Sequence, residues 1–156
     1  MGAGKSTIGA LLAKGLNRPF FDIDEQIKAE IGKSISEIFA ECGEAGFRQL
    51  EVRFCKIAAG LQNSVIATGG GCVESSENIT LLKQGAKMIY LQISPNTALA
   101  RIADIKSRPM LNTADPLAKA QEMMTRRVPM YEKAACHIVN GEGGIREVLE
   151  SILRVL

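Results

Sequence analysis

The chain has one histidine, His137, and four cysteines (Cys42, Cys55, Cys72 and Cys136) too scattered to form a C-x-x-C pair. Zinc centres are built from clustered cysteine and histidine, so the thiols read as core or surface groups. His137, inside the apolar "CHIVN", reads as a strand-edge residue without a catalytic role. No apolar run approaches the ~20 residues that cross a bilayer. The opening residues also lack the charged-then-apolar pattern of a secretory leader. A net charge of +2 is small for a nucleic-acid or membrane binder. The expectation is a cytoplasmic monomer with small-molecule partners and neither nucleic acid nor membrane among them. With 156 residues and 46% apolar content, one domain with a proper core is expected.

What is present is an alternation of helical spacing and short apolar strands. "KSTIGALLAKGL" has helical periodicity, and "PFFDID" reads as a strand ending in acids. From Ser34 to Gln62 the pattern is helical, in two pieces hinged near Gly43 to Gly46. "SVIAT" is a short buried strand stopped by three glycines. A helix near Glu77 to Gln84 precedes the strand "KMIYLQI", and Ser94-Pro95 is a helix-entry signal. "KSRPMLNTADP" breaks the rhythm as a mobile loop. A helix from about Leu117 to Lys133, the strand "CHIVN" and a helix from about Ile145 complete the chain. Such alternation predicts an α/β fold, a parallel sheet flanked by helices on both faces, with ligands at the carboxyl ends of the strands.

The first seven residues, "MGAGKST", match the back half of the phosphate-binding loop G-x-x-x-x-G-K-[ST]. In that reading the backbone amides of Gly2, Ala3 and Gly4 cradle phosphate oxygens. Lys5 reaches the β/γ-phosphates and the Ser6 hydroxyl ligates Mg²⁺. An incidental GKS is the bland alternative; the apolar helix that follows and the acidic strand end favour the loop. The strand before Gly69 ends without the carboxylate that commonly holds magnesium in such enzymes. The acids must then come from "DID": Asp22 and Asp24, two apart on a strand, face one side. One is placed to steer magnesium and the other to take a proton from an attacking hydroxyl, although solvated strand-end acids are equally compatible with the spacing. Gly69-Gly70-Gly71 reads as a ligand wall. Arg48 and Glu51, three apart, share a helix face. Arg126 and Arg127 are ~100° apart on a helix, so at most one faces inward. Arg108 lies in the loop, where a cation closes over phosphates as a lid. Together the arginines imply an anionic second substrate.

With these residues in hand, the chain resembles shikimate kinase. The matching stretches are "GAGKSTIG", "FFDID", "EIFAECGEAGFRQLE", "VIATGGG", "SRPML" and "RRVPMYEKAA", from residue 2 to about residue 135. GAGKST is widespread, whereas F-R-x-x-E, the triple glycine and R-x-P-x-Y in combination are specific. The resemblance implies a P-loop kinase fold over residues 1–156, with a helical substrate-binding region at about 25–62 and a lid at about 106–116. It implies transfer of the ATP γ-phosphoryl group to the 3-hydroxyl of shikimate, with Mg²⁺ as cofactor. It places Lys5, Asp24 and Arg108 in the chemistry, and Gly2 through Thr7 with Arg101 and Arg108 on ATP. Shikimate falls to Asp24, Arg48, Gly70, Gly71 and Arg127, and the metal to Ser6 and Asp22. The R-x-P-x-Y spacing selects Arg127 over Arg126. The competing expectations are a gluconate-type or other small-molecule P-loop kinase, and an inactive nucleotide-binding remnant.

The remnant enters because the resemblance implies an apolar strand, at the centre of the sheet, before "MGAGKST". Three or four buried aliphatic residues at ~1.5–3 kcal/mol each amount to roughly 5–12 kcal/mol. A whole domain has only about 5–15 kcal/mol of stability. The expectations are that Met1 is an internal methionine, that the chain as written is marginal or unfolded, and that the sheet has either an open slot at its middle or another strand pushed into it.

Overall fold

A computed structural model of the chain describes residues 2–105 and 108–156. Seven helices and four strands alternate among the described residues. In order they are α1 (Lys5–Gly15), β1 (Phe20–Asp22), α2 (Ile23–Ile31), α3 (Ile35–Ala59), β2 (Val65–Ala67) and α4 (Ser76–Lys83). After them come β3 (Ile89–Gln92), α5 (Pro95–Ala100), α6 (Pro116–Ala134), β4 (His137–Asn140) and α7 (Ile145–Leu153).

Local chemistry sets most boundaries. Ser34 and Glu37 close a capping box at the start of α3. Ser94 and Asp115 cap α5 and α6, each with proline in the first turn. Gly43 breaks α3 at φ 67°, a left-handed conformation that suits glycine, so the expected hinge is present. One expectation needs correction: Asp24 is not on a strand. The Asp22 carboxylate accepts the Asp24 and Glu25 amides at 3.0 and 3.3 Å and starts α2 at Ile23, so the strand ends at Asp22, two residues short of the "PFFDID" expectation. The segment read as a mobile loop carries a 3-10 turn, Pro109–Leu111, whose Leu111 is fully buried against Ala120 and Met123 of α6. Two residues of the expected lid, Lys106 and Ser107, lie outside the described residues.

The strands form two parallel pairs. β1 lies beside β2, from Phe20 opposite Val65 to Asp22 opposite Ala67. β3 lies beside β4, from Ile89 opposite His137 to Gln92 opposite Asn140. Among the described residues no ladder joins the two pairs, which is the open slot expected at mid-sheet. A cleft of about 820 Å³ lies between the N-terminal loop, the segment after β2, β3 and α6. Each pair has its own core. Ile8, Leu12, Leu91, Val139, Val148 and Ile152 pack around β3 and β4. Ile23, Ile27, Phe47, Phe54, Cys55 and Leu82 pack on the β1 side. Helix α1 packs on β1, β2 and α7, and so connects the halves.

The divided sheet has an edge that hydrogen exchange reads directly. The Val65 amide donates to the Pro19 carbonyl at 2.9 Å. Strand alternation turns the next amide, Ile66, toward the gap. The expected outcome is faster exchange at Ile66 than at Val65; equal protection at both would mean that the edge is paired.

Candidate active site

The site is assembled at the strand ends. Gly2 and Gly4 hold left-handed φ values of 65° and 77°. A Cβ at Gly2 would stand 2.7 Å from the Ala98 Cα, so the N-terminal loop admits no side chain there. Gly4 opens α1 without a side-chain cap, leaving first-turn amides for a ligand. Lys5 is half-buried on this turn. Burial pushes its ammonium below the ordinary lysine range; the charge of Asp24 opposes that push and the charge of Arg108 adds to it. Ser6 Oγ donates to Asp22 Oδ2 at 2.5 Å, while Asp22 Oδ1 caps α2. Thr7 is exposed one residue further along α1.

Two carboxylates meet over the first of the three glycines. A Cβ at Gly69 would lie 2.5 Å from Glu51 Oε1 and 2.9 Å from Asp24 Oδ1. Both oxygens are buried and lack hydrogen-bond partners. Burial raises the Asp24 carboxyl above its usual range against the pull of Lys5. It raises Glu51 likewise, against the pull of Arg48.

The arginines fall on the other side of the same turn. Arg48 of α3 lies across the Gly71 backbone, where any Cβ would meet its guanidinium. It pairs with Glu51, and with Glu44 at 2.9 Å. Arg127 of α6 turns inward and is 4% exposed, whereas the Arg126 side chain is 49% exposed. Arg127 Nη2 donates to Glu74 Oε2 at 2.6 Å, and its Nε is buried without a partner. One turn further along α6, the Tyr131 hydroxyl donates to the Gly70 carbonyl at 2.5 Å. Burial pushes the Tyr131 phenol up to about 12.

A cleft of about 550 Å³ is lined by Asp24, Arg48, Glu51, Gly69 to Gly71, Arg108 and Arg127, which brings together residues selected from separate motifs. Arg108 is exposed at its rim, immediately before the Pro109–Leu111 turn. Arg101 stands apart: its guanidinium donates to the carbonyls of Gly141, Glu142 and Gly143 at 2.7, 3.0 and 3.2 Å, fastening the loop after β4. Among the described residues no group of three or more His, Cys, Asp or Glu side chains is placed to hold a metal. The sequence marked Gly69 only as part of a ligand wall and did not mark Glu51, Glu74 or Tyr131 as site residues. The F-R-x-x-E and R-x-P-x-Y motifs contained Glu51 and Tyr131, and the triple glycine contained Gly69. Glu74 had no sequence signal, because three arginines from two helices converge on it only in the folded chain.

The family model for shikimate kinase matches residues 1–156. The chain is 42% identical over 157 residues to shikimate kinase of Psychrobacter sp. (strain PRwf-1), covering 100% of this chain and 87% of the relative. It is 39% identical to that of Neisseria meningitidis serogroup C, covering 100% of this chain and 91% of the relative. Its structure is similar to that of shikimate kinase from Acinetobacter baumannii in complex with shikimate. That similarity has a TM-score of 0.96 at 34% identity and covers 99% of this chain and 87% of the other. The Aquifex aeolicus enzyme gives a TM-score of 0.85 at 38% identity, covering 99% and 90% respectively. The chain belongs to the shikimate kinase family.

Proposed function

We propose that this protein transfers the γ-phosphoryl group of ATP to the 3-hydroxyl of shikimate, giving 3-phosphoshikimate and ADP. Family membership supports the reaction, and the shikimate bound to the Acinetobacter relative supports the acceptor. The observation that carries the reading is the cleft itself. It is lined by two arginines, one with an unpartnered buried N–H, and by Asp24 with an unpartnered carboxylate oxygen. That polarity fits a small polyol acid, whose carboxylate seeks guanidinium and whose hydroxyls seek a carboxylate.

In this reading Arg48 and Arg127 hold the substrate carboxylate, and Gly70 and Gly71 let the ring lie against bare backbone. Asp24 accepts the hydroxyl proton as the hydroxyl oxygen bonds to the γ-phosphorus and the bond to the bridging oxygen of ADP breaks. Gly2 to Thr7 and Lys5 bind the phosphates, Arg108 neutralises charge on the group in transfer, and Arg101 shapes the nucleotide end. Ser6 Oγ and Asp22 Oδ2 are hard oxygen donors, a pair that suits Mg²⁺ bound mainly through nucleotide phosphates. When bound, that ion supplies charge neutralisation on the phosphates. Among the described residues no helix is long and apolar enough to cross a membrane. The proposal keeps a cytoplasmic monomer as the working form.

The direct test is ADP release with ATP, Mg²⁺ and shikimate. The expected outcome is shikimate-dependent turnover, abolished in Lys5→Met. Arg127→Ala should raise KM for shikimate by about 10-fold or more, with a smaller effect on KM for ATP. Faster turnover of another sugar acid than of shikimate would contradict the substrate assignment.

The raised Asp24 carboxyl gives a second expectation. A base acts deprotonated, so kcat should fall as pH drops through a value above the ordinary aspartate range. The same shift means that the folded state binds the proton more tightly than the unfolded state. Stability therefore declines as pH rises through the folded value. Asp24→Asn should lower kcat by about 100-fold or more while raising Tm at neutral pH. A lower Tm together with unchanged kcat would contradict both the base assignment and the burial argument.

A further inference from the structure

Glu74 follows the triple glycine by three residues, in the 3-10 turn Cys72–Glu74, and its side chain is 21% exposed. Its two oxygens serve three arginines. Oε2 is 2.6 Å from Arg127 Nη2 and 3.6 Å from Arg48 Nη2, and Oε1 is 2.6 Å from Arg126 Nη2. Burial pushes the Glu74 carboxyl up, but the hydrogen bond and charge of Arg127, with Arg126 and Arg48, hold it below the usual carboxylate range. It is therefore an anion at neutral pH.

This anion stands where an incoming carboxylate would be gripped. A guanidinium binds a carboxylate most strongly through two parallel N–H donors. Arg127 has given Nη2 to Glu74 and kept Nε buried and unpartnered, so half of its fork is engaged and half is open. Arg48 has both terminal nitrogens directed at Glu51, Glu44 and Glu74. An acid entering the cleft thus meets an arginine pair whose charge is already balanced from within the chain. The third arginine gives Glu74 somewhere to go: Arg126 holds the other oxygen from the solvent side and is half-exposed.

We infer that Glu74 is an internal carboxylate that occupies the Arg48–Arg127 pair in the empty enzyme and yields it to the substrate carboxylate while remaining bonded to Arg126. Glu74 is then a specificity-determining positioning residue. It keeps Arg127 from standing as an unpaired buried cation, which would otherwise be costly. It also sets a threshold that a weak or small anion does not cross and a well-placed substrate carboxylate does. The inference rests on the reading of Arg48 and Arg127 as the carboxylate grip.

The test is steady-state kinetics and calorimetric shikimate binding for the wild-type chain, Glu74→Gln, Arg126→Ala and Arg127→Ala, each with a thermal melt. Glu74→Gln retains a hydrogen-bonding amide but removes the competing charge. It should lower KM and Kd for shikimate by roughly threefold to tenfold with kcat unchanged. It should also make the enzyme more sensitive to inhibition by acetate. The neutral methyl ester of shikimate should bind wild type and Glu74→Gln alike. Arg126→Ala, which removes the resting place, should move KM the opposite way. A merely structural Glu74, needed to hold Arg127 in place, predicts the reverse sign for Glu74→Gln, a higher KM. That result, or an unchanged KM and acetate sensitivity, would overturn the inference even with the grip intact. The Arg127→Ala measurement separates the two levels. If that variant binds shikimate as tightly as wild type, the grip itself is wrong and the inference fails with it.

Discussion

Three consecutive glycines remove every side chain from the turn after β2, and the charged groups of the site meet only because that turn is bare. The Glu51 and Asp24 carboxylates lie against Gly69, the Arg48 guanidinium lies against Gly71, and the Tyr131 hydroxyl holds the Gly70 carbonyl. A methyl group at either outer glycine would force a charged side chain to shift. Helices distant in sequence meet at this short stretch: α2 sends Asp24, α3 sends Arg48 and Glu51, and α6 sends Tyr131. The turn is the common contact of Asp24, Glu51, Arg48 and Tyr131.

The same geometry explains the electrostatics. Two carboxylates crowded over backbone and away from water are raised by desolvation, and neighbouring cations only partly offset it. Lys5 is lowered for the same reason. A site poised in this way gains from ligands that restore the missing partners, namely phosphate for the lysine and a hydroxyl for the aspartate. Arg127 Nε and Asp24 Oδ1 are both buried without a hydrogen-bond partner, the two atoms that the proposed binding of a polyol acid would satisfy.

Much of this was legible in the sequence. Periodicity identified α1, both pieces of α3 and the four strands, because amphipathic spacing and burial coincide there. The Gly43 hinge was legible because a glycine inside a helical pattern has few other uses. What periodicity missed was decided by capping. Asp22 turns the chain into α2 by binding two amides, so Asp24 reaches the cleft from a helix rather than from a strand. The hundred-degree step between adjacent helical residues allowed only one of Arg126 and Arg127 to face inward, and the R-x-P-x-Y spacing of the resemblance selected Arg127, the one that is buried. Glu74 was not legible, since its role depends on α3 and α6 approaching one turn. Among the described residues the strands divide into two pairs, and α1 is the element that packs against both sides of the gap.

The central claim is that one side-chain-free turn brings the proposed carboxylate grip and the proposed proton acceptor into a single cleft. A crystal structure of the protein with shikimate and MgADP tests it most directly. The account predicts the shikimate carboxylate bonded to Arg127, Nε included, and to Arg48, with a ring hydroxyl within hydrogen-bond distance of Asp24. Shikimate bound with its carboxylate toward Lys5 or Arg108, or with no hydroxyl near Asp24, would contradict it.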